Sequence, residues 1–397
     1  MSADLVTIGV VGAGTMGAGI AQLALEAGHE VLLNDVDEAA IERGRAKIRD
    51  GLARRAAKLD LDADTIDDWV EGRYDRLRDG HSLDAVGAEA DVVIEAALED
   101  LELKRTVFRA LDAAAAPGAI LATNTSALSI AAIADVTARP ERVLGLHFFN
   151  PAPVMRLVEV VSGPATSPSV AARAAVLVAS WGREPVACVD SPGFIVNRIN
   201  RPFTLEALTA LERGGAGVEA IDAGVRAAGY PMGPFELMDL VGIDVNLAAA
   251  RGVWEGFGRT ERFRPSPTQE RLVEEGRLGR KSGHGFYRYG DGIRGSVDVG
   301  VPDAPGTTAP DVAARIELAI LAEAWRALGD GIATERDIDL AMRLGAGHRV
   351  GPFERTRELD GPAALVDAID AVPLPGPRFE MPPLLLATAS RVRPSAG

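Results

Sequence analysis

Apolar segments recur through the first 190 residues at the spacing of buried strands separated by helices. Residues 5–11, LVTIGVV, are almost entirely apolar, which predicts a strand buried on both faces of a parallel sheet. A helical pattern, AGIAQLALEAG, and a second strand, HEVLLND, follow it. Further strands are predicted at ADVVIEAA, GAILATNTS, RVLGLHFF, RLVEVV and WGREPVACVD. The pattern therefore predicts an α/β domain with a largely parallel sheet over residues 1–189.

Beyond residue 190 the periodicity becomes helical. Asp190, Ser191 and Pro192 form a helix-start signal. The apolar stripe that follows it consists of Phe194, Ile199, Phe203, Leu208 and Leu211. We predict an all-α domain over 190–290 and a linker over 291–310, which is rich in Gly, Pro and Asp.

Helical patterning resumes after the linker. RLGAGHRVGPFERTRELDG, in the last part of the chain, resembles RAAGYPMGPFELMDLVG at 226–242. Residues 311–397 are therefore predicted to be a second, partial copy of the helical domain. Because a tether of this length keeps the two copies close, we expect them to pair within the chain. A homo-oligomer would then use another surface. The alternative is that the second copy is a separately folded appendage.

Charge and cysteine content exclude several classes of protein. The net charge of −15 argues against nucleic acid or anionic membranes as partners. The single cysteine, Cys188, excludes an internal disulfide and favours a reducing compartment. MSADLVTIGVVGAG has no signal-peptide pattern, and no segment has the ~18 apolar residues of a membrane span. We therefore expect a cytoplasmic protein, and no metal site, because no Cys or His pair has ligand spacing.

The GAGTMG turn between the first strand and helix is the dinucleotide-binding fingerprint in its full context. Gly12 permits the turn, Gly14 admits a pyrophosphate and Gly17 lets the helix pack on the strand. The intervening Thr15 and Met16 belong to the same cofactor-binding turn. Asp35 ends the second strand, where a carboxylate accepts hydrogen bonds from ribose hydroxyls and would repel a 2′-phosphate. NAD is therefore the predicted cofactor.

A basic stripe lies on the helix that follows Asp35. Between residues 42 and 58 the chain has seven basic residues and two acidic ones. Arg43, Lys47, Arg54 and Lys58 fall within roughly 60° of one another on a helical wheel. The stripe has two interpretations, a solvated surface or a landing site for a polyanionic small molecule such as coenzyme A.

Six motifs, in order along the chain, resemble those of the 3-hydroxyacyl-CoA dehydrogenase family. They are NTS at 124–126, HFFNP at 147–151, VEVV at 158–161, SPGFIVNR at 191–198, GYPMGPFELMDLVG at 229–242 and GRKSGHGFY at 279–287. The resemblance implies a Rossmann-type NAD-binding domain followed by a helical domain. It also implies oxidation of (S)-3-hydroxyacyl-CoA to 3-oxoacyl-CoA, with a short-chain substrate like 3-hydroxybutyryl-CoA.

The same resemblance implies roles for individual residues. His147 would be the general base, paired with Glu159, while Ser126 and Asn197 would bind the reacting oxygen. The implied cofactor contacts are Glu99, Lys104, Asn124, Asn150 and Lys281. The implied coenzyme A contacts are Arg54, Lys58 and Ser126. Gly51 departs from the family pattern, which often has a hydroxyl there.

Two other functions stay open at this stage. A related dehydrogenase of a free hydroxy or sugar acid would have the same general plan but no use for the basic stripe. A non-enzymatic NAD-binding protein would have the cofactor fingerprint but no use for His147, Glu159, Ser126 and Asn197.

Overall fold

The structure, a computed structural model, describes residues 5–59, 61–214, 216–299 and 309–392. The chain divides after Asp190 into two compact units. Residues 300–308 of the predicted linker lie outside the described residues. None of the described helices is long and apolar enough to cross a membrane.

The first unit is an α/β domain built on one eight-stranded sheet of order β3-β2-β1-β4-β5-β6-β7-β8. Its strands are β1 (Thr7–Val11), β2 (Glu30–Asn34), β3 (Leu77–Asp79), β4 (Val92–Glu95), β5 (Ile120–Thr123), β6 (Val143–Phe148), β7 (Leu157–Ser162) and β8 (Glu184–Val189). Its helices are α1 (Thr15–Glu26), α2 (Glu38–Ala56), α3 (Ala63–Tyr74), α4 (Leu83–Glu89), α5 (Leu101–Ala114), α6 (Ile130–Ala134) and α7 (Pro168–Ser180). Strands β4 and β5 are apolar except for their last residues and are buried throughout, as the sequence predicts for strands covered on both faces. The α/β class predicted for this domain is confirmed.

Strand β7 differs from a fully parallel arrangement, because it pairs antiparallel to β6. Every other strand pair of this sheet is parallel. Residues 149–156 connect β6 to β7, and this stretch is too short for the crossover that a parallel neighbour needs. The reversal places residues of β7 directly opposite residues of β6 on the same face of the sheet.

The second unit is mainly helical. Its helices are α8 (Val196–Ile199), α9 (Arg201–Glu212), α10 (Val218–Ala227), α11 (Pro234–Val241), α12 (Ile243–Gly256), α13 (Pro267–Glu274), α14 (Ala309–Gly329), α15 (Glu335–Gly345), α16 (Pro352–Glu358), α17 (Pro362–Asp370) and α18 (Pro383–Val392). Helix α8 begins after the predicted start at Pro192. Gly193 and Phe194 have φ angles of 76° and 49°, left-handed values that a right-handed helix does not contain.

The predicted linker over 291–310 needs a correction in its first part. Strand β9 (Tyr287–Gly290) pairs antiparallel with β10 (Ile293–Val297) in a hairpin. Asp291 and Gly292 form its turn with φ angles of 49° and 73°. An Asp-Gly pair favours such a two-residue turn, so the signal was present in the sequence.

The two GPFE motifs have the same hydrogen-bond pattern. The Asp222 carboxylate accepts hydrogen bonds from the backbone amides of Phe235 and Glu236, at 2.9 and 3.1 Å. The Asp339 carboxylate, 117 positions later, accepts from the amides of Phe353 and Glu354, at 2.7 and 3.1 Å. The sequence similarity therefore extends to matching local structure, with a buried aspartate holding the start of α11 and of α16.

Helices α9 and α14 pack against each other, and each carries a buried glutamate that forms ion pairs. Glu323 on α14 accepts a hydrogen bond from Arg198 Nε at 2.8 Å, and Arg262 Nε lies 3.3 Å from its other oxygen. Glu206 on α9 accepts from Arg315 Nη2 at 3.2 Å and from the Arg378 guanidinium.

These ion pairs are reciprocal. Glu323 stands 117 positions after Glu206, and Arg315 stands 117 positions after Arg198. The aromatic contacts match as well, since Arg198 and Arg315 each lie 4.7 Å from the centre of a phenylalanine ring. The arginine of each matched pair of positions therefore binds the glutamate that stands in the other part of the unit.

Candidate active site

The turn between β1 and α1 has the shape that the glycine fingerprint predicts. Gly12 has a φ of 101°, and a Cβ there would lie 2.6 Å from the carbonyl oxygen of Ala96. A Cβ on Gly17 would lie 1.7 Å from the carbonyl oxygen of Gly12, so only glycine lets α1 pack this closely. Gly14 faces open space. It is also the N-cap of α1, and no side chain caps that helix.

These features fit a dinucleotide. The first-turn amides of α1 can receive a pyrophosphate, because the N-terminus of a helix carries a partial positive charge and unpaired N–H groups. Thr15 is the exposed first residue of this helix and Met16 is half-buried beside it. The Asp35 carboxylate accepts hydrogen bonds from the backbone amides of Ala13 and Val36, at 2.6 and 2.7 Å. These bonds fix the carboxylate beside the glycine turn, where it can accept hydrogen bonds from ribose hydroxyls.

His147 and Glu159 form a buried pair on adjacent strands. They stand directly opposite each other in the antiparallel register of β6 and β7. His147 Nδ1 lies 2.6 Å from Glu159 Oε2, and the glutamate is fully buried while the histidine is 6% exposed. A buried carboxylate at this distance orients the imidazole ring and favours a proton on Nδ1.

Asn124 links the ends of β5 and β6. Its Oδ1 accepts a hydrogen bond of 2.8 Å from the backbone amide of Phe148, the residue after His147. Both strands are parallel, so their carboxyl ends lie at the same edge of the sheet. Asn150 follows β6 and is exposed.

Glu99 holds the segment that contains Ser126. One Glu99 oxygen accepts hydrogen bonds from the amide and hydroxyl of Ser126, at 2.8 and 3.1 Å, and from Thr125 Oγ1 at 2.7 Å. Burial acts to raise the pKa of Glu99, but these hydrogen bonds and the charge of Lys104 lower it below its usual value. The carboxylate therefore stays ionised near neutral pH.

Lys104 lies in the interior, 1% exposed. Its Nζ binds both oxygens of the fully buried Glu95, at 2.7 and 2.9 Å, and lies 3.5 Å from Glu99. Glu95 and Thr125 are not among the site residues predicted from the sequence. A carboxylate at the end of the otherwise apolar strand VVIE was the signal for Glu95. The cofactor role predicted for Lys104 stays a prediction. What the structure shows is its ion pair with the buried Glu95.

The basic stripe of α2 differs from the other basic residues of the same helix in its lack of acidic partners. Arg45, Arg49 and Arg55 pair with acidic residues. Within the described parts of the chain no ion pair involves the exposed stripe residues, which are Arg43, Lys47, Arg54 and Lys58. Lys58 lies two residues beyond the end of the helix. A Cβ on the buried Gly51 would lie 2.0 Å from Gln22 Oε1, so close packing on α1 explains the glycine there.

Two of the predicted site residues belong to the helical unit. Asn197 lies on α8, and Lys281 Nζ pairs with Asp244 Oδ1 at 2.6 Å. Among the described residues no group of three or more His, Cys, Asp or Glu side chains could hold a metal ion.

Two family models match the chain. One, described as the 3-hydroxyacyl-CoA dehydrogenase NAD binding domain, matches residues 7–191. The other, described as the C-terminal domain of the same dehydrogenase, matches residues 193–289 and 312–384.

Curated relatives and solved structures agree with these matches. The chain is 39% identical to a 3-hydroxyadipyl-CoA dehydrogenase of Escherichia coli K12, over 89% of this chain and 90% of that protein. It is 41% identical to a 3-hydroxybutyryl-CoA dehydrogenase of Bradyrhizobium diazoefficiens, over 73% of this chain and 97% of that protein. A crystal structure of a 3-hydroxybutyryl-CoA dehydrogenase from Escherichia coli K12 aligns with a TM-score of 0.87 at 36% identity, over 98% of this chain and 99% of that chain.

Proposed function

The chain belongs to the 3-hydroxyacyl-CoA dehydrogenase family, and from this premise we propose that it oxidises a short-chain (S)-3-hydroxyacyl-CoA, such as 3-hydroxybutyryl-CoA, to the 3-oxo ester. NAD is the cofactor of this family's nucleotide-binding domain. The observation that carries the proposal is the His147–Glu159 pair, 2.6 Å apart, at the sheet edge that also carries Asn124. Cofactor binding alone needs no buried imidazole with an oriented ring, which disfavours a non-enzymatic role.

His147 is the proposed general base. The Nδ1–H group of His147 donates a hydrogen bond to Glu159. Nε2 therefore carries the lone pair and takes the proton of the 3-hydroxyl group. Glu159 then stabilises the imidazolium ion that forms. Bound NAD supplies the acceptor for the hydride from C3.

The remaining site residues hold the reactants. We propose that Ser126 and Asn197 bind the oxygen on C3, and that Asn124 and Asn150 line the nicotinamide end of the cofactor site. The Ser126 position rests on Glu99, which fixes both its amide and its hydroxyl. Glu99, Lys104 and Lys281 are further proposed cofactor contacts, taken from the family resemblance.

The first test is turnover. The purified protein should reduce acetoacetyl-CoA with NADH, and far less well with NADPH, because Asp35 would repel the 2′-phosphate. Acetoacetate without coenzyme A is the matched control substrate. Preference for the free acid would favour the alternative of a hydroxy-acid or sugar-acid dehydrogenase, and NADH binding without turnover of either would favour a non-enzymatic protein.

A second prediction concerns coenzyme A. We propose that its phosphates bind the stripe at Arg54 and Lys58, which are exposed and have no acidic partner among the described residues. The R54E/K58E variant should show a raised KM for acetoacetyl-CoA, and the wild-type KM should rise with ionic strength, because exposed charges are screened by salt.

The control for this variant is R109E/R391E, which makes the same charge change at exposed arginines on α5 and α18. Its KM should stay near the wild-type value. Equal KM values for the stripe variant and the wild type would contradict the coenzyme A assignment while leaving the dehydrogenase activity untouched.

We further propose that residues 311–397 are a partial copy of the helical domain which pairs with 190–290 inside the chain. The reciprocal bonds Arg198–Glu323 and Arg315–Glu206 support this arrangement. A homo-oligomer would then use a different surface. The single cysteine, Cys188, is buried, which is compatible with the cytoplasm as the proposed compartment.

A further inference from the structure

Arg201 is a buried arginine with no counter-charge. It is the first residue of α9 and 5% exposed. Its Nε has no hydrogen-bond partner, and no salt bridge involves it among the described residues. Burial alone lowers the pKa of its guanidinium to about 10, with no carboxylate acting in the opposite direction. The group nevertheless remains a cation at neutral pH.

Other buried arginines of the same unit are paired. Arg198 binds Glu323 and Asp330, at 2.8 and 2.5 Å, and Arg378 binds Glu206. A buried charge without a partner is costly, because desolvation is not offset by any attraction. Arg201 has this desolvation cost, whereas Arg198 and Arg378 have carboxylate partners. The difference suggests that a ligand supplies the missing anion.

The two halves of the helical unit show where that anion belongs. Arg198 has an arginine counterpart 117 positions later, Arg315. At the same spacing, however, Asn197 corresponds to Ala314 and Arg201 to Leu318. The half with the proposed substrate ligand also has the unpaired arginine, and the other half has neither. Arg201 therefore belongs with the substrate chemistry of Asn197.

Asn197 and Arg201 lie one helical turn apart. Asn200, between α8 and α9, has φ −84° and ψ −2°, which is right-handed helical, so positions 197 and 201 share a face. One turn is ~5.4 Å, roughly the length of three or four carbon–carbon bonds along an acyl chain. A substrate that binds Asn197 through its C3 oxygen and extends along this face places a group a few carbons beyond C3 at the level of Arg201.

We propose that Arg201 binds a carboxylate at the far end of the acyl chain, so that the preferred substrates are coenzyme A esters of 3-hydroxy dicarboxylic acids. This inference rests on the proposed dehydrogenase function and names its substrate class. A guanidinium recognises a carboxylate through two parallel hydrogen bonds, which a terminal methyl group cannot make.

The test compares two substrates that differ only at that end. The coenzyme A ester of 3-oxohexanedioic acid and 3-oxohexanoyl-CoA have the same chain length and are both reduced with NADH. The wild type should favour the dicarboxylic ester in kcat/KM by about 10- to 100-fold, the range of a charged hydrogen bond. R201L, which installs the Leu318 counterpart, should reduce this ratio by a similar factor, and R201K should retain part of it.

The outcomes are distinct. If the wild type reduces neither ester, the proposed function itself fails. If it reduces both equally well, the inference alone is overturned, whether or not R201L folds. If R201L lowers kcat/KM for both esters together, or raises the KM for NADH, Arg201 serves a phosphate of coenzyme A or of the cofactor, and the carboxylate assignment is wrong.

Discussion

Replacing His147 by glutamine should lower kcat for acetoacetyl-CoA reduction by about 10²–10⁴-fold, the usual contribution of a positioned acid–base group. Glutamine keeps a polar side chain of similar length beside Glu159 but exchanges no proton near neutral pH. The measurement is steady-state kinetics with NADH, accompanied by an NADH titration to show that the cofactor still binds.

Two further variants sharpen this result. H81Q makes the same chemical change at an exposed histidine of the first unit and should leave kcat near the wild-type value. E159Q should lower kcat less than H147Q, because it removes the orienting charge and not the base. Unchanged turnover in H147Q would remove His147 from the mechanism and with it the main support for the proposed chemistry.

Truncation after residue 299 should produce the largest change in stability and assembly. This end point keeps β10 whole and removes α14, with Glu323 and Arg315. Helix α9, which packs against α14, would then expose apolar surface that is now buried. We expect a dimer or an aggregate in size-exclusion chromatography with light scattering, and a lower melting temperature.

The reciprocal ion pairs predict which dimer forms. Because Glu206 is the counterpart of Glu323, two truncated chains should pair Arg198 of one with Glu206 of the other. In the truncated chain E206R should prevent dimerisation, and R198E/E206R should restore it by exchanging the charges. A truncated chain that stays monomeric, with the heat stability of the full-length protein, would show that residues 309–392 are an independent appendage.

Short-range patterns predicted much of the first unit. LVTIGVV followed by GAGTMG predicts a buried strand, a glycine turn and the start of a helix. These signals lie in one short segment, because the steric limits on the backbone at Gly12 and Gly17 depend on nearby residues. Strand orientation was less accessible, since a buried apolar strand has the same pattern in either direction. For β7, the short connection after Phe148 was the available signal that the pairing is antiparallel.

Partners distant in the chain were beyond the sequence patterns. No periodicity indicates that Arg198 meets Glu323, which stands 125 positions later in the chain. Such pairs depend on which helices pack together, a property of the whole fold. Arg201 could not be predicted either, because only the structure shows that this charged side chain is buried without a partner.

Reciprocal contacts inside one chain also change how the protein can evolve. In a homodimer a mutation of the arginine alters both symmetry-related ion pairs at once, because one codon encodes both. Here Arg198 and Arg315 have separate codons, as do Glu206 and Glu323. Selection can therefore hold the half with Asn197 to its present sequence while the other half drifts, one substitution at a time, without any single mutation breaking both pairs.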